Sequence, residues 1–426
     1  MRFPRDPKKA RKEQLERLKA TVKYAYNNSR YFREKMDRAK FKPDKMKSFS
    51  DLKYLPVTTK NDLRENNWDI VAVPRKKWVD LLSTSGTTGQ SVYIPMTKKD
   101  LRRVARWGGQ TLSLMGLKKT DIVQLTLPMG SWLWMAGYGF YLCYVDFGCC
   151  VLRFGPGFTD KQIEIMEKLG TTVIHGVPSF MIRLGSAVRA SGIRHHVEKV
   201  ATIAENVLTM DLKKNSAGKM IEENWGAELF STYGSTEGPI VCCECTEHQG
   251  MHVHPFEVII EILDPDTYEP VPEGERGVIT ITPLGVEGFP LLRYAIGDLS
   301  FLVPGDCPCG AYGQRIGPIY ARTDHMMKIK GVIVYPEVLK EIISREPLVG
   351  QFQIEAYTEN FMDHIRIWCA GNGEAGYISN LLRKKIKESL GISVEVNVVS
   401  STDVAARILP PGKNKPVVFL DLREKK

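Results

Sequence analysis

A segment rich in serine, threonine and glycine, residues 83–89, is well suited to bind phosphate groups. Its hydroxyls and backbone N–H groups can donate hydrogen bonds, and glycine lets the backbone approach a ligand closely. It is not a Walker loop, because no Gly-Lys-Ser or Gly-Lys-Thr sequence closes it. Taken alone, the segment leaves a flexible surface turn as the alternative. The residues assigned to this phosphate loop are Ser83, Thr84, Ser85, Gly86, Thr87, Thr88 and Gly89.

Cysteine and histidine residues in two turn-rich segments have the pattern of a metal site. Cys245 and His252 lie in the first segment, and Cys307 and Cys309 lie in the second. Three thiolates and one imidazole complete a tetrahedral zinc site and leave no position for a substrate, so we predict a structural zinc. Unligated thiols are the alternative. The other candidate ligands are Cys242 or Cys243 in place of Cys245, and His248 or His254 in place of His252.

The order of apolar runs indicates the fold class. Helical spacing of apolar residues over 8–27 predicts an amphipathic helix packed on the body of the protein. Between about residues 80 and 230, short strand-like runs such as 122–127, 172–175 and 199–203 alternate with helical segments. This alternation is typical of crossover units on a largely parallel sheet, which predicts an α/β fold. Residues 255–303 are β-rich, and the last hundred residues predict a small α+β domain with two helices.

Composition and charge restrict the class of protein. The 426 residues are 43% hydrophobic and 25% charged, as in globular proteins. A net charge of +10 suits anionic ligands, but the basic residues are scattered and lack the interleaved aromatics of a nucleic-acid-binding surface. The N-terminus lacks the apolar core of a signal peptide, and the most apolar stretch, 138–154, contains Asp146 and is short for a bilayer span. We therefore expect a cytoplasmic protein with no nucleic-acid or membrane partner.

Four further stretches follow the phosphate loop in a fixed order. Together the five resemble the adenylate-forming (acyl-CoA synthetase/ligase) superfamily, and within it the phenylacetate–coenzyme A ligase family. Residues 15–18, 24–28 and 55–64 are also similar to that family, so the resemblance covers nearly the whole chain. No single motif is decisive, but five in order are specific. The four stretches are STYGSTE at 231–237, LRYAIGDL at 292–299, ARTDHMMKIKG at 321–331 and PPGKNK at 410–415.

The resemblance implies a two-domain enzyme. An N-terminal adenylation domain, residues 1–321, would contain parallel-type sheets, a β-rich subdomain, the ATP and acyl pockets and the zinc subsite. A mobile α+β domain, residues 322–426, would rotate between two half-reactions. The implied activity joins a carboxylic acid to coenzyme A at the expense of ATP. Because a carboxylate is a poor electrophile, the acid is first converted to an acyl-adenylate, whose AMP is then displaced by the thiol.

The resemblance also assigns roles to single residues. Lys413 would stabilise the transition state of adenylate formation, with Lys415 as the competing candidate. Glu237 would hold Mg²⁺, which prefers one or two carboxylates together with phosphate oxygens. Asp298 would accept the ribose hydroxyls. The remaining assignments are Glu205, Tyr233 and Gly234 beside adenine, Thr236 and Arg322 at ATP, Asp324 at the hinge and Gly331 at the coenzyme A tunnel.

The predicted acyl pocket has one aromatic wall, Trp132, Trp134 and Tyr138, and an opposite wall at Pro178. Core packing is the alternative role for these aromatics. The family usually has tyrosines here, so the tryptophans indicate a changed substrate, and we expect an aryl or arylalkyl acid. Two other departures concern ATP. Gln90 stands where the family usually has lysine, and Ala295 and Ile296 replace two polar residues.

Two other functions remain open at the level of sequence. One keeps adenylate formation but passes the activated group to a carrier-protein thiol, or adenylylates a cofactor. The other is a zinc-dependent nucleic-acid-binding module, which the five ordered motifs argue against. The expected ligands of the favoured function are a small carboxylic acid, ATP, Mg²⁺ and coenzyme A. Whether the chain forms a homodimer is left open.

Overall fold

The structure is a computed structural model that describes residues 3–84, 91–129, 133–323, 327–329, 332–359, 362–409 and 416–423. The chain divides into two compact units, Met1–Ile319 and Tyr320–Lys426. The predicted boundary between residues 321 and 322 falls close to this division. The roles predicted for the two domains stay predictions.

An N-terminal helical segment begins the first unit. Its longest helix, α1 (Pro7–Asn28), starts with proline in the first turn, and the Asp6 carboxylate accepts a hydrogen bond from the Lys9 N–H at 3.1 Å. Leu18, Val22 and Ala25 are buried along one face, which confirms the predicted amphipathic helix. The short helices of this segment are α2 (Arg30–Arg38), α3 (Lys60–Glu65) and α4 (Asn67–Ile70), with 3-10 turns at Pro43–Lys45, Phe49–Tyr54 and Arg75–Lys77.

The phosphate loop connects two short antiparallel strands, β1 (Asp80–Ser83) and β2 (Tyr93–Met96). Ser83 pairs with Tyr93, so the two strands are adjacent at the positions where the loop begins and ends.

Eight strands among the described residues form the central sheet, in the order β13-β9-β8-β7-β6-β5-β3-β4. The pairs from β4 to β7 are parallel, and those from β7 to β13 are antiparallel. Every residue of β5 and β6 is buried, as expected for parallel strands covered on both faces. The strands are β3 (Ile122–Leu125), β4 (Cys150–Arg153), β5 (Val173–Gly176), β6 (Lys199–Thr202), β7 (Glu228–Ser235), β8 (Ile240–Glu244), β9 (Met251–Val253) and β13 (Arg315–Ile316).

Helices alternate with the parallel strands, as the alternating apolar pattern predicts. The longest, α5, begins with a capping box in which the Asp100 carboxylate accepts from the Thr97 N–H at 2.9 Å. These helices are α5 (Lys98–Leu112, followed by a 3-10 turn at Ser113–Met115), α6 (Ala136–Phe147), α7 (Thr159–Leu169), α8 (Pro178–Ser191) and α9 (Ser216–Trp225).

The β-rich part of the first unit contains the antiparallel strands β10 (Val258–Leu263), β11 (Gly277–Pro283) and β12 (Tyr294–Ser300). The sheet is tied to the N-terminal segment by Arg293. Its guanidinium donates two hydrogen bonds of 3.0 Å to Glu261 and one of 2.7 Å to the Leu55 carbonyl. The predicted change to β structure after residue 255 is confirmed.

The second unit has its own apolar core and a sheet in the order β19-β18-β17-β20. The prediction of two helices was wrong, because three helices lie among its described residues. The third, α12, is an amphipathic helix of eight residues, too short to give a clear periodic signal in the sequence. The elements are β14 (Ala321–Arg322), β15 (Met327–Ile329), β16 (Val332–Val334), α10 (Pro336–Ser344), β17 (Val349–Glu359), β18 (Met362–Gly371), α11 (Ala375–Leu390), β19 (Glu395–Val398), α12 (Ser401–Ile408) and β20 (Phe419–Asp421).

Within the described ranges, none of the helices combines the length and the apolar character that crossing a bilayer requires. The most apolar stretch of the sequence, 138–154, forms most of α6 and the strand β4 of the central sheet.

Candidate active site

The two ends of the phosphate loop are held together by backbone hydrogen bonds. The Thr84 N–H donates to the Val92 carbonyl at 3.1 Å, and the Val92 N–H donates to Thr84 Oγ1 at 3.1 Å. The Ser83 N–H donates to the Leu133 carbonyl at 3.1 Å, which links the loop to the segment before α6. The other predicted phosphate-loop residues, Ser85, Gly86, Thr87, Thr88 and Gly89, lie outside the described residues, as does Gln90.

Two predicted nucleotide-binding residues that are far apart in sequence meet in the structure. The buried Tyr233 on β7 donates a hydrogen bond from its hydroxyl to Asp298 Oδ2 on β12, at 2.7 Å. Asp298 is 8% exposed, so its carboxylate lies at the edge of the protein interior. The bond fixes the direction of a carboxylate that the resemblance assigns to the ribose.

Glu237 lies in the turn after β7 and is half-buried. Its carboxylate accepts hydrogen bonds from Ser235 Oγ at 3.1 Å and from the Tyr294 hydroxyl at 3.3 Å. Tyr294 is fully buried in β12, beside Thr58 of the N-terminal segment. Tyr294 belongs to the LRYAIGDL motif, but the sequence predicts no role for this side chain. Its contact with Glu237 depends on strand packing, which leaves no signal in the sequence.

Glu205 is exposed, and its carboxylate is engaged by the first turn of α8. It accepts hydrogen bonds from the Ser179 N–H at 2.8 Å and from Ser179 Oγ at 2.7 Å. A carboxylate at a helix N-terminus is stabilised by the free N–H groups there. The structure therefore gives Glu205 a helix-capping contact, and its predicted place beside adenine stays a prediction.

A small apolar cavity of about 60 Å³ lies beside the STYGSTE turn. One wall is formed by Gly234, Ser235 and Thr236, so the residue next to Glu237 faces the cavity. The opposite wall includes Ala136, Gly139 and Phe140, which share one face of α6 because they are three and four positions apart. The other lining residues are Val104, Met135, Ile203, Pro239, Ile240 and Val241.

The predicted acyl-pocket residues are placed differently. Trp134 and Tyr138 are half-buried, and Pro178 is the buried first residue of α8. These three residues are absent from the described residues that line the cavity. Tyr138 is off the helix face formed by Ala136, Gly139 and Phe140. Trp132 lies outside the described residues, so the aromatic wall as a whole stays a prediction.

The remaining predicted residues belong to the second unit. Arg322 is half-buried in β14. Asp324, Gly331, Lys413 and Lys415 lie outside the described residues, and their roles stay predictions.

The four predicted zinc ligands come together in the first unit. Their ligand atoms all lie within 4.8 Å of one another. Cys245 Sγ is 3.6 Å from Cys307 Sγ, and Cys309 Sγ is 3.5 Å from His252 Nε2. The pairing of β9 with β8 places His252 at the end of the sheet, near the segment that contains Cys307 and Cys309. All are buried except Cys309, which is partly exposed.

The alternative ligands have other contacts. His254 Nε2 lies 3.1 Å from Gln110 Oε1, and its Nδ1 accepts a hydrogen bond from the Phe256 N–H at 3.2 Å. His248 lies between two carboxylates, 3.0 Å from Glu228 and 3.5 Å from Glu244. Among the residues that the structure describes, the cluster of four contains neither Cys242 nor Cys243.

A buried histidine supports the floor of the apolar cavity. His175 lies in β5 and packs against Phe140, with ring centroids 4.3 Å apart, and its Nδ1 lies 3.0 Å from the Tyr144 hydroxyl. Burial lowers the pKa of His175 to about 3. The imidazole is therefore neutral in the folded protein at neutral pH.

This burial predicts a loss of stability in acid. Between the folded pKa of about 3 and the unfolded value of 6.5, the unfolded chain binds a proton that the folded chain does not. Stability therefore falls as the pH drops below 6.5, at up to about 1.4 kcal/mol per pH unit. Urea titrations at pH 7.5 and 5.5 should show that wild type loses about 1 kcal/mol more than H175Q on acidification. The matched variant H196Q, at an exposed histidine, should behave as wild type. If wild type and H175Q lose the same free energy of unfolding on acidification, His175 is not the source of the acid sensitivity.

Comparisons with known proteins agree with the geometry. The family model described as AMP-binding enzyme matches residues 5–286. The chain is 31% identical over 436 residues to the phenylacetate-coenzyme A ligase of Thermus thermophilus, covering 96% of this chain and 94% of the relative. It is 29% identical over 429 residues to the phenylacetate-coenzyme A ligase of Escherichia coli, with the same two shares covered.

A solved structure has the same fold. The crystal structure of 2-hydroxyisobutyryl-CoA ligase in the postadenylation state is similar with a TM-score of 0.82 and 21% identity, covering 96% of this chain and 89% of that chain. This similarity confirms the predicted α/β fold.

Proposed function

Because the chain belongs to the AMP-binding enzyme family, we propose that it is an ATP-dependent, AMP-forming acid–coenzyme A ligase. One observation of the structure carries the proposal. The STYGSTE turn presents Thr236 to an apolar cavity and Glu237 to the hydroxyls of Ser235 and Tyr294, so an acyl group and a magnesium-binding carboxylate would be adjacent. Relatives named phenylacetate-coenzyme A ligase, matched over more than nine-tenths of the chain, support the same conclusion.

The reaction has two balanced steps. The substrate carboxylate attacks the α-phosphorus of ATP, a P–O bond to the β-phosphate breaks, and pyrophosphate leaves. The thiol sulfur of coenzyme A then attacks the acyl carbon, the bond to AMP breaks, and the thiol proton is lost to solvent or to a base. The protein contributes mainly orientation and charge compensation in both steps.

The described residues fit part of this chemistry. Asp298, oriented by Tyr233, would accept hydrogen bonds from the ribose hydroxyls. Glu237 would hold Mg²⁺, since its half-buried carboxylate is already oriented by two neutral donors. When bound, Mg²⁺ neutralises charge on the phosphates. Ser83, Thr84 and the rest of the phosphate loop would hold the β- and γ-phosphates, and Lys413 would compensate charge at the α-phosphate.

The acyl group is the least determined part of the substrate. A cavity of about 60 Å³ is smaller than the ~150 Å³ cavity that binds benzene in an engineered protein core. An aryl ring would need more room, and Met135 is suited to provide it because methionine is unbranched and adaptable. The relatives named phenylacetate-coenzyme A ligase support an aryl or arylalkyl acid, and the small cavity favours a compact one.

ATP–pyrophosphate exchange with a panel of acids tests the proposal. The panel would contain phenylacetate, benzoate, indoleacetate and the smaller 2-hydroxyisobutyrate. We expect exchange with at least one aryl acid, and formation of its coenzyme A thioester. Exchange with no acid would contradict ligase activity. Exchange without consumption of coenzyme A would favour another acceptor.

The bond between Tyr233 and Asp298 leads to a prediction about ATP. Y233F should raise the KM for ATP in the exchange assay about five- to tenfold, because a hydrogen bond to a carboxylate contributes about 1–1.5 kcal/mol. The maximal exchange rate should change much less. Y377F, which removes an exposed hydroxyl in the second unit, is the control and should leave the KM unchanged. An unchanged KM for ATP in Y233F would contradict the claim that Tyr233 orients the Asp298 carboxylate for binding ATP.

Cys245, His252, Cys307 and Cys309 would hold a structural zinc ion. Tetrahedral zinc with bonds of about 2.3 Å to sulfur and 2.0 Å to nitrogen separates its ligand atoms by about 3.5–3.8 Å. The Cys245–Cys307 and Cys309–His252 separations of 3.6 and 3.5 Å fit this requirement. His252 Nδ1 is buried without a hydrogen-bond partner among the described residues. The site would join the β8–β9 turn to residues 307–309 and would have no catalytic role.

Metal analysis should find one zinc per chain. A chelator, or the variant C307S, should lower the unfolding temperature by roughly 5–10 °C, since loss of a closed metal site costs a few kcal/mol. C150S changes an exposed cysteine outside the cluster and is the matched control. A metal-free protein with unchanged stability in chelator would contradict the zinc site.

A further inference from the structure

A second and larger cavity lies on the other side of α5. It is a cleft of about 420 Å³ between α1, α5 and residues 284–287, which we call the basic cleft. Its volume is within the range of small-molecule sites. Five basic side chains and one acidic side chain line it. These are Arg17, Lys99, Arg102, Arg103, Arg106 and Glu287.

The sequence places these charges on one helix face. Lys99, Arg102, Arg103 and Arg106 are three or four positions apart on α5 and so point to the same side. Val104 lies on a different face of the helix and lines the apolar cavity. The helix α5 therefore separates the basic cleft from the proposed acyl pocket.

Few acids neutralise the basic cleft. Arg17 pairs with Glu13 at 2.7 Å, and Arg103 lies 3.7 Å from the buried Glu257. Within the described part of the chain, no carboxylate is within ion-pairing distance of the exposed Lys99 and Arg102. Asp100 is buried, and its carboxylate accepts from the backbone N–H groups of residues 287 and 288 at 2.7 and 2.9 Å. That acid fixes the wall of the cleft and does not face the basic side chains.

One further donor at the cleft has no acceptor. Arg103 is 7% exposed, and its guanidinium donates to the Glu257 and Pro239 carbonyls at 3.2 and 2.5 Å, whereas its buried Nε has no hydrogen-bond partner among the described residues. A buried donor without an acceptor is unfavourable, so an acceptor at this position would be stabilising. Burial raises the pKa of Tyr24 to about 12, so its hydroxyl stays protonated. That hydroxyl donates its single proton to the Glu287 carbonyl at 2.9 Å, so it shapes the cleft and does not donate to a ligand.

The tryptophan of the cleft is not available for stacking. Trp107 is 7% exposed and packs against His254, with centroids 4.6 Å apart, and against the guanidinium of Arg106 at 4.8 Å. A nucleobase would find no open aromatic face on it. Recognition at the basic cleft therefore depends on charge and hydrogen bonding.

We propose that the basic cleft binds a small anion with several phosphate groups, at a site separate from the phosphate loop. Arginine and lysine side chains on one rigid helix suit phosphate oxygens, and the guanidinium groups can donate two hydrogen bonds each. The same chemistry has two sources: the phosphates of coenzyme A, or a separate phosphorylated ligand. The assignment does not depend on the ligase activity.

Calorimetric titration with inorganic tripolyphosphate tests the proposal. The full-length protein is titrated with and without an excess of a non-hydrolysable ATP analogue, whose triphosphate would occupy the phosphate loop. We expect saturable binding with the analogue present, and a Kd at least about tenfold weaker in K99Q/R102Q. The control K76Q/K77Q removes two exposed lysines outside the cleft and should stay within about twofold of wild type. Thermal unfolding would establish that both variants are folded.

A second arm identifies the source. If coenzyme A also binds more weakly to K99Q/R102Q, the cleft receives the phosphates of the thiol substrate. If only tripolyphosphate is affected, the cleft serves another phosphorylated ligand. The proposal is overturned if tripolyphosphate does not bind wild type at 1 mM, or binds wild type and K99Q/R102Q equally. Loss of the ligase activity with this binding retained would overturn only the proposed function.

Discussion

K413A is expected to slow acyl-adenylate formation about 100- to 1000-fold, the loss typical of removing one group that stabilises transition-state charge. The lysine ammonium would compensate charge that develops on the α-phosphate during attack. The second half-reaction, transfer from a supplied acyl-adenylate to coenzyme A, should be largely spared. Pyrophosphate exchange and single-turnover thioester formation measure the two steps separately.

K415A is the matched control, because it removes the other lysine of the PPGKNK motif. It should keep most of the exchange activity. If K415A loses the activity and K413A keeps it, the assignment within the motif is wrong. Equal loss of both half-reactions in K413A would argue against a C-terminal domain that serves them in turn.

E237Q should lower the exchange rate about 100-fold at 1 mM Mg²⁺. Glutamine keeps the shape and one acceptor for Ser235 and Tyr294, but it removes the charge that would hold the cation. Raising the Mg²⁺ concentration should recover part of the rate. E275Q removes an exposed acid and is the control. An exchange rate in E237Q that equals wild type at low Mg²⁺ would exclude Glu237 as the magnesium carboxylate.

Local patterns were sufficient to predict most of the fold. Strands β5 and β6 are buried on both faces, so they appear in the sequence as short apolar runs between helical segments. The helix α1 has the spacing that a single buried face requires. The family resemblance is confirmed by the matched family model and by the curated relatives.

The site was predicted less completely, since its contacts join distant strands. No spacing rule connects Tyr294 with Glu237, or Tyr233 with Asp298, 57 and 65 residues apart. The residues that line the cavity were also not predictable from residue type. Aromatic character predicts Trp134 and Tyr138 for the acyl pocket, whereas the start of α6 places Gly139 and Phe140 at the cavity.

The metal cluster was predicted better than the nucleotide site but less directly than the fold. A short pattern of cysteine and histidine predicts the four residues, but the packing of β9 near residues 307–309 decides which histidine joins the cysteines. His254 follows the last residue of β9, and its side chain contacts Gln110 instead. Residues two positions apart share one face of a strand, so alternation alone does not distinguish the two histidines.

A crystal structure with bound ATP and Mg²⁺ would test most directly the claim that the phosphate loop, Glu237, Asp298 and Lys413 serve one nucleotide. We predict the triphosphate along Ser83–Gly89, the metal at Glu237 and the ribose hydroxyls at Asp298. A nucleotide bound elsewhere, with these residues outside its contacts, would contradict the account.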